Sequence, residues 1–173
     1  MDGKTVKHSS VILRHIVQPQ DANLAGITHG GVVMKNIDDA AGVVAVKHSG
    51  CAVVTASIDR MDFHHPVYIG NLLTIKASIN LVGRTSMEIG VRVEAEDIVT
   101  GNSRHTASAY LTFVALDQNN TPTRIPPLIL VTEEEKRRNR EAGDRRKVRL
   151  AEKSKEKKCR RDPDDCGLSA RMA

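Results

Sequence analysis

Tryptophan is absent from this 173-residue chain and aromatic residues make up only 2% of it, so the core must be aliphatic. The same shortage excludes stacking platforms for single-stranded nucleic acid, and no nucleic-acid partner is expected. The cysteines, Cys51, Cys159 and Cys166, are too few and too unevenly placed for a disulfide framework. No pair of CxxC motifs exists, so no metal is expected, and Cys51 reads as a small core residue in an apolar run. Neither a signal peptide nor an apolar run of about 18 residues appears, so a cytoplasmic protein without a membrane span is expected.

Charge is also unevenly distributed. The net +5 hides a balanced body, residues 1–131, with 11 basic and 11 acidic side chains. Residues 132–173 carry 15 basic against 10 acidic, so the whole excess lies in the tail. Mixed signs of this kind suit a solvated helix, although a basic tail can also touch an anionic partner.

The body is organised around Gln18 to Gly50. A polar loop with Asn23, Gly26 and His29-Gly30-Gly31 leads into Val32, Val33, Ile37, Ala40, Ala41, Val44 and Ala45. Steps of three and four predict a helix from about Gly30 to His48 with a wide buried face. Thr28 or His29 is placed to cap it and Gly50 to stop it. Asp38 follows Ile37 directly, at or near the apolar face, where an unpaired carboxylate is costly. It is therefore either satisfied by a partner or kept for chemistry. Asp39 reads as solvated or interfacial.

Residues 5–17 read as a strand. After the helix the period changes to two, predicting strands over 51–63, 71–83, 85–99 and 103–117 joined by short turns. The fold class is α+β: a curved antiparallel sheet wrapped around one long helix. Residues 1–131 form the domain, with the apolar 128–131 free to dock on it. Thr132 and Glu135 make a capping box for a charged tail helix. Beyond it Val148, Leu150 and Ala151 form no apolar stripe, so a solvent-exposed helix fraying by about Lys158 and a disordered end are expected.

Taken in order, Asn23-x-x-Gly26, Gly30-Gly31, Met34, Asp38, Val54-Thr55, Met61-x-Phe63, Pro66-Val67, Gly70 and Val82-Gly83-Arg84-Thr85-Ser86 resemble the hotdog-fold acyl-CoA thioesterases. The likeness is to the cytosolic acyl-CoA hydrolase group and its short bacterial relatives, over residues 8–126. Asn71 departs from it, standing where these enzymes usually carry aspartate; a change in local hydrogen bonding at a turn is expected.

The resemblance implies hydrolysis of acyl-CoA to a fatty acid and coenzyme A, with no cofactor beyond the substrate itself. It assigns Asp38 as base or nucleophile and Asn23 as the amide that orients water or carbonyl. The Gly30 and Gly31 amides, at the positive end of the helix dipole, suit an oxyanion. Arg84 and Ser86 fall to substrate binding, Arg84 being suited to coenzyme A phosphates. His29 is a cap or a substrate-loop contact, with a general-base role as the alternative. Thr55 either bonds the catalytic group or only satisfies its strand.

Asp38 lies seven residues past Gly31, about 10 Å along one helix. One thioester carbon cannot touch both, so a two-fold dimer sharing its sites is required. By resemblance the dimers assemble as a hexamer. An apolar tunnel lined by residues such as Val33, Met34 and Leu73 would set chain length. Two other readings remain open: a non-catalytic acyl-CoA sensor with the tail as effector contact, and a hotdog dehydratase using a His–carboxylate pair. His64-His65 resembles a metal pair, but adjacent residues on an extended chain face opposite ways.

Overall fold

The structure is a computed structural model that describes residues 1–161. Its order is β1 (Lys4–Thr5), α1 (Val6–Ser9), β2 (Val11–Ile16), a short 3-10 turn (Pro19–Asp21), α2 (Gly30–Ser49) and β3 (Ala52–Phe63). Then come β4 (Leu72–Val82), β5 (Ser86–Glu96), β6 (Ser103–Leu116), β7 (Leu128–Ile129) and α3 (Glu133–Arg161).

Helix α2 follows the expected bounds within a residue. Its apolar positions Val33, Ile37, Ala40, Ala41, Val44 and Ala45 are all buried. Three of them are alanines, which let the helix axis come close to the sheet. Gly50, at φ 74°, ends the helix in the left-handed region where glycine is favoured.

The sheet has five strands in the order β2-β4-β5-β6-β3, each neighbour antiparallel. Leu73, Ile75, Ile79, Met87, Ile89, Val93, Leu111 and Phe113 project from its inner face onto α2. Register shifts in β3, β4 and β6 mark bulges, which bend the sheet around the helix. Strands β2 and β3 are the open edges.

Two expectations change. The predicted strand over 5–17 is broken by α1, because the chain crosses the end of α2 there. Ser9 is buried against the fully buried His48, its hydroxyl 3.4 Å from Nδ1, while His48 Nε2 lies 3.1 Å from the Pro126 carbonyl. The β-branched content of the segment is outweighed by this tertiary contact. Lys4 Nζ donates to the Lys47 and His48 carbonyls, closing the C-terminus of α2, and β1 pairs in parallel with β7.

The tail helix is not wholly solvated. It begins at the expected capping box, with Glu135 N–H donating to Thr132 Oγ1 and Thr132 N–H to Glu135 Oε2. One side then docks on the outer face of the sheet. Arg145 donates to both oxygens of Glu88, a residue only 1% exposed, and stacks over Tyr110 at 3.7 Å. Asn139 donates to the Asn80 carbonyl, and Arg149 pairs with Asp59 at 2.5 Å. Ala142 is fully buried, whereas Val148 and Leu150 are exposed. Polar side chains make the contact, so a count of apolar residues misses it. The helix continues through Arg161 rather than fraying by Lys158; the expected disordered end lies at 162–173, outside the described residues.

Candidate active site

The loop before α2 is built by Asp21. Its carboxylate accepts from the Gln18 N–H at 2.8 Å and meets His15 Nε2 at 2.9 Å. These contacts, the backbone bond first, hold that carboxyl below the usual aspartate range. The Asp21 carbonyl in turn receives the His29 N–H at 2.7 Å. The helix entrance is thereby fixed to the end of β2.

Asn23 folds the rest of the loop. Its Oδ1 accepts from the Ala25 and Ile27 amides, and Gly26 takes φ 73° to complete the turn. Its Nδ2 has no protein partner among the described residues. Thr28 donates to the Val67 carbonyl at 3.0 Å, leaving His29 as the cap of α2.

That cap changes the reading of the two glycines. Gly31 N–H donates to His29 Nδ1 at 2.9 Å and is already engaged. The Gly30 N–H is the open donor, beside a cavity of about 390 Å³ lined by Asn23, Ile27, Val33, Phe63, His64 and Val67, among others. Phe63 lies 3.4 Å from where a Cβ on Gly30 would stand, an ordinary contact distance that places the ring beside the helix entrance. Of the residues expected to line an acyl tunnel, only Val33 reaches this cavity. Leu73 is buried in the core and Met34 is 41% exposed.

His64 packs against His105 with ring centroids 5.0 Å apart. Burial first, then the charge of Arg92, holds the His105 ring below the usual imidazole range. No metal-binding group of three or more ligating side chains occurs among the described residues. The His64-His65 pair is occupied otherwise, His65 lying 3.0 Å from the His105 carbonyl.

Asp38 is half-buried beside the apolar stripe of α2. Thr55 Oγ1 on β3 donates to its Oδ1 at 2.8 Å. Such a bond to a charged acceptor fixes the rotamer and leaves Oδ2 to other partners. Asp39 faces solvent and pairs with Lys35 at 2.6 Å.

Arg84 and Ser86 sit apart from both groups, at the β4–β5 turn. The turn is closed by Gly83 N–H donating to the Ser86 carbonyl at 2.7 Å. The register nevertheless links it to Asp38. Thr55 opposes Phe113, Phe113 opposes Met87, and Met87 opposes Val82. Three strand spacings of about 4.8 Å put this turn roughly 14 Å from Thr55, at the same end of the sheet. Asn71 closes its own turn as expected, accepting from the Tyr68 N–H at 3.0 Å through Oδ1.

A single chain thus holds an anchored carboxylate, an open helix N-terminus with an apolar cavity, and a basic turn. A curved antiparallel sheet wrapped around one long helix is the hotdog architecture. A sequence profile of the Thioesterase superfamily matches residues 25–102. Helicobacter pylori protein VdlD is 39% identical over 145 residues, covering 84% of this chain and 83% of that protein. The chain belongs to the Thioesterase superfamily.

The rat cytosolic acyl coenzyme A thioester hydrolase is 40% identical over 143 residues, 82% of this chain. This chain spans only 38% of that longer relative's length. A Staphylococcus aureus acyl-CoA hydrolase, solved with butyryl coenzyme A and coenzyme A, has a TM-score of 0.83 at 35% identity, over 90% of this chain and 94% of its own. The same enzyme has been solved as alanine variants of one asparagine, one aspartate and one threonine, spaced in that order by 15 and 17 positions. A hexameric acyl-CoA thioesterase has a TM-score of 0.84 at 38% identity, over 88% of this chain and 97% of its own.

Proposed function

We propose that this protein hydrolyses acyl-CoA thioesters, Asp38 activating the attacking water or attacking directly. The observation that carries the reading is the Asp38–Thr55 hydrogen bond. It holds a half-buried carboxylate, fixed in one rotamer, at the edge of an otherwise apolar helix face. Asn23, Asp38 and Thr55 are also separated by 15 and 17 positions, the spacing of the three residues varied in the S. aureus hydrolase.

The Gly30 N–H receives the oxyanion, and Asn23 orients water or carbonyl through its free amide donors. The acyl group enters the cavity beside Phe63 and Val33. Coenzyme A arrives and leaves as part of the substrate, and the chemistry needs no further cofactor. Residues 1–131 form the catalytic unit.

One α2 cannot bring Asp38 to its own N-terminus, so the site is completed by a second copy. Strand β3 is an open edge with Val54, Ile58 and Phe63 exposed, and α2 beside it exposes Met34, Val43 and Val46. An apolar sheet edge of this kind calls for cover. An antiparallel second copy meets the need and sets each Asp38 opposite its neighbour's helix N-terminus. A hexamer of three such dimers is the assembly we assign, by likeness to the hexameric relative.

No helix among the described residues is long and apolar enough to cross a membrane. With the rat relative described as cytosolic, we place the protein in the cytoplasm.

The sensing alternative uses the basic tail as effector contact, and two of its arginines, Arg145 and Arg149 of α3, are engaged with the body instead. For a dehydratase, the His15–Asp21 pair is available but already secures the loop. The test is thiol release from acyl-CoAs of increasing chain length by wild type and Asp38→Asn. Release that drops by orders of magnitude in the variant is expected. Equal rates in both proteins would overturn the assignment of Asp38, and binding without turnover in the wild type would favour the sensor.

A further inference from the structure

Most cations near α3 have acidic partners. Lys76 and Arg92 share Glu94, Arg137 meets Glu141, Arg138 meets Glu134 and Arg145 meets Glu88. The large cleft these residues line, between α3 and the sheet, is therefore already neutralised.

Arg146 is different. It is half-buried and carries no hydrogen bond or ion pair to the described residues. Its guanidinium lies over Gly83, with Nη1 2.6 Å, Nη2 3.0 Å and Cζ 3.1 Å from where a Cβ would stand. Gly83 does not need to be glycine for its backbone, since its φ is not in the positive region. The missing side chain is space that Arg146 occupies. The next residue, Arg84, is exposed and likewise unpaired among the described residues. The Arg146 guanidinium thus lies beside the turn that carries Arg84, and neither arginine has a carboxylate partner among the described residues, which leaves both available to an anionic ligand.

We infer that Arg146 joins Arg84 in holding a phosphate of the coenzyme A moiety, so that the tail helix supplies part of the substrate site. This rests on the thioesterase reading and extends it to a residue outside the resembling segment. The turn lies on the same row of the sheet as Thr55, roughly 14 Å away at about 4.8 Å per strand. An extended pantetheine arm bridges such a gap between thioester and phosphates. Guanidinium suits phosphate through paired, charge-assisted hydrogen bonds.

The test compares acyl-CoA with the matching acyl-pantetheine, which has the thioester but no phosphate. Arg146→Ala should raise KM for acyl-CoA about tenfold, as for one lost charge-assisted contact. kcat should stay within about twofold, and kinetics on acyl-pantetheine should not change. Arg146→Lys should recover part of the loss. Gly83→Ala meets only the flexible end of Arg146, so it should fold normally and yet reproduce the raised KM. An effect of equal size on both substrates, or no effect on either, would overturn the assignment.

Calorimetric titration with coenzyme A separates this inference from the hydrolysis itself. Weaker binding by Arg146→Ala, with no turnover by the wild type, would sink the thioesterase reading and keep the phosphate site. Normal turnover with unchanged coenzyme A binding would do the reverse.

Discussion

Helices α2 and α3 lie on opposite faces of one sheet and are held by opposite chemistry. Helix α2 buries a stripe of aliphatic side chains against the inner face, and His48 against Ser9 and the Pro126 carbonyl. Among its described residues helix α3 buries one alanine and otherwise relies on arginine and asparagine reaching groups on the outer face. Apolar burial stabilises roughly in proportion to area and tolerates small shifts. A buried ion pair gains little over an apolar contact of the same shape but penalises its own disruption heavily. The inner helix is thus the source of stability, while the outer one is held in a particular register.

The largest effect should come from the carboxylate to which we assign the chemistry on the inner helix. Asp38→Asn should abolish thiol release by orders of magnitude while leaving the melting curve almost unchanged, since the amide can still accept from Thr55. Ile37→Ala, its fully buried neighbour, should do the opposite: a loss of about 3–4 kcal/mol in chemical denaturation. If activity and stability fell together in both variants, the separation of roles along α2 would be wrong.

On the outer face, Arg145→Met leaves the buried Glu88 with only Asn80 at 3.3 Å and Arg149 at 3.9 Å and should cost about 3 kcal/mol. Adding Glu88→Leu should return most of that loss, because the charge left behind is the main penalty. A double variant no more stable than the single would show that Arg145 acts through its Tyr110 contact instead. Exposed pairs on the same helix should matter far less. Breaking Arg138–Glu134 should change stability by under about 0.5 kcal/mol, which thermal melts can bound.

The inner helix also contains a pH response. Desolvation holds His48 below the usual imidazole value, outweighing the opposing bond to Pro126. The unfolded chain therefore takes up a proton at higher pH than the folded protein does. The stability from a neutral His48 is fully present above about pH 6.5 and declines as pH falls toward the folded value. Denaturation curves from pH 8 to 5 should show this decline, and His48→Gln should flatten it.

The difference between the helices also explains what the sequence could reveal. Periodicity identified α2 and the four long strands because their burial is apolar and regular. It could not distinguish α1 from strand, since what bends Val6–Ser9 is Ser9 meeting His48 from a distant helix. It likewise missed the docking of α3, since arginine and asparagine score as solvent-facing whatever they touch. Asp38 stood out as a carboxylate beside Ile37, and the threonine that anchors it was one of two open readings. That His29 occupies the Gly31 amide was partly legible in its capping position. Arg146 left no local trace. Its nearest sign was Gly83, a glycine at a turn that does not require one.

The β1–β7 pair and the Lys4 contacts to the end of α2 determine when the fold can be finished. Residue 4 waits for residue 128, and the His48 ring waits for the Pro126 carbonyl. At about 5–20 residues per second of synthesis, that interval is roughly 6–25 s. Until then the C-terminus of α2 stands without its full cap, and the hairpins β4–β5 and β5–β6 form without the clasp. The helix that appears early in the chain is thus among the last to be locked. A pause in translation between β6 and β7 would lengthen the time during which a partly wrapped sheet meets neighbouring nascent chains.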